Sequence, residues 1–202
     1  MKTSFTFLIL ASLGLAACHN NPADTSATNS ADTTVVTKTD VTNTPAPDTM
    51  QVKTATASIP DSVFLEKAYN IGTFEIKMAR LANQKSKNAK VKEFADMMIK
   101  DHTAMGKDVS ALISKKHYTK PNALPADLES KYEDLSKLSG KEFDKKYADI
   151  NADGHKEAID LFTKVSTSTE DADVKKLATD ALPKLQTHES HATMLQTEVS
   201  GM

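Results

Sequence analysis

The chain has 202 residues but only one cysteine, no tryptophan, six glycines and 5% aromatic residues. A single cysteine excludes an intramolecular disulfide and any cysteine-rich zinc or iron–sulfur site. So few glycines exclude a glycine-rich phosphate loop system and argue against a turn-rich β protein. Charge of one sign is also lacking. The formal net charge is −2, and without a basic surplus there is no electrostatic footprint for nucleic acid, so none is expected as a partner.

Long hydrophobic runs are missing apart from Phe5–Leu15, which follows Lys2 and is too short for an ordinary transmembrane helix. It ends in Leu15-Ala16-Ala17-Cys18. Small residues before a cysteine at this distance resemble the lipobox of a bacterial lipoprotein signal peptide. The resemblance implies removal of residues 1–17 and lipidation of Cys18. His19 stands where the inner-membrane retention signal of such lipoproteins has Asp. The implied location is the bacterial outer membrane, facing the periplasm, with the lipid anchor as the membrane contact.

After the cysteine, residues 18–60 are rich in Thr, Asn, Ala, Asp and Pro, with no Phe, Tyr, Leu or Gly. That stretch has too little apolar surface to offset its ordering entropy and is expected to be a disordered tether. From residue 61 the composition changes. Residues 61–202 carry all four tyrosines, five of the seven phenylalanines, and 22 basic against 23 acidic residues. The mixed charges read as a solvated exterior.

The apolar spacing in 61–202 is helical throughout. It predicts long helices over 61–84, 88–117, 140–166 and 171–199, and a short one over 126–138. Ser139 and Glu142 form a candidate capping box. Pro183 removes a backbone donor inside the last helix and should bend it. Short joints make the first pair and the last pair antiparallel. The connection over 118–139 is long enough to run the height of the bundle. The expected fold is therefore all-α, a ferritin-like antiparallel four-helix bundle with a short extra helix in the crossover.

Each long helix interrupts its apolar stripe with one ionisable group near its middle. These are Glu75, His102, His155 and His188, with Asp101 beside His102. A buried charge or imidazole must find a partner. One solution is a divalent metal, iron, zinc or manganese, held by Glu75 and the three histidines. The other is a hydrogen-bonded polar layer in which Glu75 and Asp101 satisfy the histidines. In a straight antiparallel register centred near 86–87, Glu75 faces residue 98 and His102 lies a turn away. His155 and His188 are further out of step. Gly72, Gly106 and Gly154 lie near this level and either allow close helix approach, leave room for a ligand, or are simply tolerated. His191 and Glu189 are expected on the surface. His117 is expected at the end of the second helix, where a cation suits the dipole.

Three segments carry a family resemblance. They are Phe94-Ala95-Asp96-Met97-Met98-Ile99-Lys100-Asp101-His102, Phe143-Asp144-Lys145-Lys146-Tyr147 with His155, and Leu182-Pro183 with His188. Together they resemble the bacterial domain of unknown function 4142, over essentially all of 61–202. The resemblance implies a ferritin-like fold and frequent export, and it implies no activity. Ferritin-like di-iron sites use Glu-x-x-His on two helices. Ile99 and Leu185 occupy the corresponding positions here, so a di-iron centre is not expected. No catalytic residues are assigned, and the leading expectation is a non-enzymatic, membrane-anchored envelope lipoprotein with a maintenance or stress role. The alternatives are a metal-binding or redox and peroxide-handling protein using the Glu/His layer, and a scaffold for other envelope proteins.

Overall fold

The computed structural model describes residues 58–201. The expected signal peptide (1–17), Cys18 and nearly all of the tether (18–60) lie outside the described residues. The described chain is helical, with α1 at Asp61–Lys85, α2 at Ala89–Lys115, α3 at Ala126–Lys137, α4 at Gly140–Ser168 and α5 at Ala172–Ser200. None of these helices is long and apolar enough to cross a membrane.

The amphipathic stripes dictate the arrangement, because none can be buried alone. α1 packs on α2 and α4, and α5 packs on α4 and α2, while α3 lies against α1 and α4. One apolar cluster joins the C-terminal half of α1 (Phe74, Met78, Leu81) to the N-terminal halves of α2 (Val91, Phe94) and α4 (Phe143, Tyr147) and to the C-terminal half of α5 (Leu195, Val199). The other joins the opposite ends, through Phe64, Val109, Leu112, Phe162, Val165 and Val174. This places the starts of α2 and α4 at the same end of the bundle. The α2–α4 connection therefore runs the full height, as a ferritin-like crossover requires. On the way α3 inserts Leu135 into the first cluster. Lys85 Nζ caps the end of this segment through the Leu138 carbonyl at 2.8 Å.

The helix ends show where local chemistry agrees with the tertiary fold. Asn88 accepts from the Lys90 amide at 2.8 Å and starts α2. Asp171 accepts from the Asp173 and Val174 amides and starts α5. Both supply acceptors to otherwise orphaned amides. The capping box expected at Ser139 does not form. Ser139 is the cap residue, but its hydroxyl makes no cap bond. Gly140, next in line, has φ of +56°. α5 continues through Pro183, whose missing N–H leaves the Thr179 carbonyl without its usual donor.

His117 is displaced from its expected place. α2 ends at Lys115, and His117 lies beyond it with φ of +56°. The His117 amide donates to the Ser114 carbonyl at 3.1 Å and the Tyr118 amide to the Ile113 carbonyl at 3.0 Å. This is a Schellman ending, with a histidine where glycine is favoured. A side chain in the left-handed region costs about 1–2 kcal/mol. Replacing His117 with Gly should therefore raise the unfolding free energy by about 1 kcal/mol, read as a higher urea midpoint with an unchanged slope.

Candidate metal centre

Between the two apolar clusters lies one polar level. Glu75 of α1, His102 of α2, His155 of α4 and His188 of α5 are all at most 3% exposed there. The three imidazoles face one another, with ring centroids 5.6 Å apart for His102–His155, 5.0 Å for His102–His188 and 5.3 Å for His155–His188. Each offers one ring nitrogen to a set whose members all lie within 4.8 Å of one another.

The register mismatch expected between α4 and α5 narrows for a local reason. α4 runs to Ser168, two residues further than its apolar pattern indicated, so the α4–α5 joint is centred on residue 170. His155 then faces residue 185, and His188 is one turn away. His102 is offset from Glu75 in the same way. An offset of three residues is about 4.5 Å along the axis, within reach of a long side chain.

One nitrogen each of His155 and His188 is held from behind. His155 Nδ1 lies 2.8 Å from the Asn151 carbonyl oxygen, one turn back on α4. A carbonyl only accepts, so Nδ1 carries the proton and Nε2 keeps a lone pair. His188 Nε2 lies 3.0 Å from Asp101 Oδ2, and Lys184 Nζ lies 3.0 Å from Asp101 Oδ1. Desolvation pushes the Asp101 carboxyl up, but the hydrogen bonds from His188 and Lys184 together outweigh it and keep its pKa below the usual value. An ionised Asp101 makes His188 Nε2 the donor and leaves Nδ1 bare. His102 Nδ1 lies 3.1 Å from Glu75 Oε2. That approach falls outside hydrogen-bond geometry, and Oε2 keeps no partner. Glu75 Oε1 is 3.6 Å from His155 Nδ1.

The inner nitrogens have no partners. His102 Nε2, His155 Nε2 and His188 Nδ1 are buried without a hydrogen bond. Leaving one buried polar atom unsatisfied costs about 1–3 kcal/mol, and here three share one level. A void of about 20 Å³, room for roughly one water, lies against His102 and Glu75 between Gly72 and Gly106. The glycines are not forced by close packing. A Cβ at Gly72 would meet His102 Nδ1 at 3.8 Å, an ordinary contact, and one at Gly106 or Gly154 would meet nothing within 4 Å.

Burial sets the protonation of the level. Desolvation lowers His102 and His188 to about 4 and also lowers His155, against the pull of nearby carboxylates. Desolvation raises Glu75, opposed by His155. At neutral pH the imidazoles are therefore neutral, the form that ligates metals.

The sequence-derived set thus comes together in space, with a division of roles that spacing did not show. Each of the three histidines keeps one buried nitrogen without a partner, whereas Glu75 lies on the Nδ1 side of His102 and His155. Asn151 and Lys184 were missed. Each sits four residues before the histidine it serves directly or through Asp101, a spacing that places both on one helix face.

Unfolded histidines bind a proton near pH 6.5, whereas His102 and His188 resist until about 4. Between those values the unfolded chain holds more protons, so stability falls as pH drops. Glu75 works in the opposite sense above 4.5, since the unfolded carboxyl ionises first, but it is one group against three. Chelator-treated protein should therefore lose about 1–3 kcal/mol of stability per pH unit on acidification from 6.5 to 5. Urea midpoints measured across that range should show a flatter slope for His102→Leu and His188→Leu.

Comparisons with known proteins bear on the fold and the family. No curated protein matches the chain. Among solved structures, "CopM in the Cu(II)-bound form" superposes with a TM-score of 0.60 at 17% identity, covering 70% of this chain and 99% of that one. "CopM in the Cu(I)-bound form" gives 0.59 at 20% identity, covering 70% and 98%. A "DUF305 fragment from Deinococcus radiodurans" gives 0.60 at 11% identity, covering 72% and 99%. At these identities the likeness is one of fold, a helical bundle. The family model described as "Domain of unknown function (DUF4142)" matches residues 46–195, and the chain belongs to that family.

Proposed function

We propose that this protein is a metal-binding helical bundle that holds one transition-metal ion between His102, His155 and His188. The observations that carry this reading are three buried histidines that each bring a ring nitrogen within 4.8 Å of the others and that each keep one buried ring nitrogen without a hydrogen-bond partner. A closed hydrogen-bonded layer would pair those nitrogens with each other or with the carboxylates. Instead the Asn151 carbonyl and the Asp101 carboxylate accept from the far nitrogens of His155 and His188, the kind of contact that orients a metal-bound histidine. Nitrogens around a tetrahedral ion stand about 3.4 Å apart when metal–nitrogen distances are about 2.1 Å. Small ring rotations supply the contraction.

Three neutral imidazoles suit copper, zinc, iron and nickel rather than magnesium or calcium. Copper(II) has the highest affinity in the divalent series for such a site. Bundles of the same fold are described in copper-bound forms, in keeping with this class of ion. Glu75 lies beside Nδ1 of His102 and of His155, where a carboxylate adds negative charge if ionised by a bound cation. Three histidine ligands leave a further position for water or another group. The reading includes attachment at the cell envelope through a lipid on Cys18, on the strength of the lipobox resemblance, with the bundle carried on the 19–60 segment.

Elemental analysis and calorimetric titration of the untagged protein should give about one copper(II) or zinc(II) per chain. Saturation at a hundredfold excess over Kd should add about 2.7 kcal/mol to stability. His102→Ala and His188→Ala should each abolish that equivalent. Sub-stoichiometric metal that is unchanged by these substitutions would contradict the proposal. Labelled palmitate should enter the wild-type protein expressed in a bacterium and not the Cys18→Ser variant.

A further inference from the structure

A second group of metal-competent side chains lies on the outside of the bundle, one turn from the histidine level. α5 places His191 three residues beyond His188, and α2 places Met97 four residues before Asp101. The His191 Nδ1 is 3.2 Å from Met97 Sδ. Met194, on the next turn of α5, is 53% exposed. It lines the same open cleft, of about 370 Å³, together with Glu93 and Glu198.

Hydrogen bonding gives this arrangement little, since a thioether is a weak acceptor and the ring is open to water. Apolar packing does not account for Met194, which leaves half its surface in solvent. As donors, however, the three groups are coherent. One imidazole nitrogen and two thioether sulfurs form a soft set, which selects monovalent copper-like ions over zinc or magnesium. His191 and Met97 already stand in contact, with Nδ1 and Sδ 3.2 Å apart. Met194 is unbranched at Cγ, and its i,i+3 relation to His191 puts the two side chains on one helix face, lining the same cleft. Glu93 is balanced by Lys90 at 3.2 Å, while Glu198 adds negative charge to the cleft.

We infer that Met97, His191 and Met194 form a surface site for a soft monovalent d¹⁰ cation, copper(I) or silver(I). This site does not depend on the buried imidazole centre. Its donors are different and its ion class is different. One helical turn separates it from the Asp101–His188 contact on both α2 and α5, a rise of about 4.5–6 Å.

The test uses the full chain with Cys18→Ser, so that no thiol competes, labelled with ¹³C at the methionine methyls. Silver(I) nitrate is the probe, in chloride-free buffer. The Met97 and Met194 methyl signals should shift and saturate at one equivalent, and zinc(II) should leave them in place. Met97→Leu with Met194→Leu, a volume-conserving change, should remove that equivalent while far-UV circular dichroism is unchanged. His191→Ala should weaken silver(I) binding at least tenfold. His102→Ala should leave the methionine shifts intact, which separates failure of this site from failure of the buried one. Methyl signals of Met97 and Met194 that do not respond to silver(I), or a double leucine variant that keeps the equivalent, would overturn the inference.

Discussion

Desolvation of three imidazoles is the constraint around which this bundle is organised. His102, His155 and His188 are taken out of water at mid-height, where four amphipathic helices would otherwise make one continuous apolar core. The apolar residues instead form two clusters, one towards each end, and the histidine level lies between them. Burial keeps the rings neutral, and neutrality leaves each with one protonated and one bare nitrogen. The protonated nitrogens of His155 and His188 meet acceptors that cannot donate or stay ionised, so their tautomers follow from the geometry. Glu75, beside Nδ1 of His102 and His155, biases His102 in the same direction.

This has an energetic consequence. A polar layer serves helix register well when every member is satisfied, and poorly when several are not. Here the outer side of the layer is tethered and the inner side is open. Asp101 is kept charged by His188 and Lys184 in spite of desolvation, and so it acts as a fixed anchor rather than a proton store. A metal ion would satisfy three nitrogens at once after small rotations of the rings. The cleft at Met97, His191 and Met194 differs in kind, with sulfur donors and solvent access. The two places read as nitrogen-rich inside and sulfur-rich outside.

Much of this was legible from residue spacing. Stripes stepping by threes and fours placed the long helices nearly where they are, because every amphipathic face had only the other helices to bury against. The long 118–139 connection indicated the crossover, since only a chain of that length can return along the bundle. Interrupted stripes picked out Glu75, His102, His155 and His188. Less accessible were features set by backbone geometry and atomic detail. Gly140 adopts a positive φ, and the Ser139 hydroxyl makes no cap bond. His117 occupies a left-handed position past the helix end. Spacing also could not tell which ring nitrogen faces inward, and so could not separate Glu75, behind the rings, from the histidines in front. Asn151 acts through its backbone carbonyl, a role its side-chain identity does not announce. The segments before residue 58 rest on composition and the lipobox resemblance.

Nitrogen-15 NMR of the histidine side chains tests the central claim most directly. In chelator-treated protein at neutral pH, the account predicts protonated Nδ1 on His102 and His155 and protonated Nε2 on His188. One equivalent of zinc(II) should then shift His102 Nε2, His155 Nε2 and His188 Nδ1 together and leave His117 and His191 unchanged. The opposite tautomers, or zinc(II) additions that leave those three nitrogens unmoved, would contradict it.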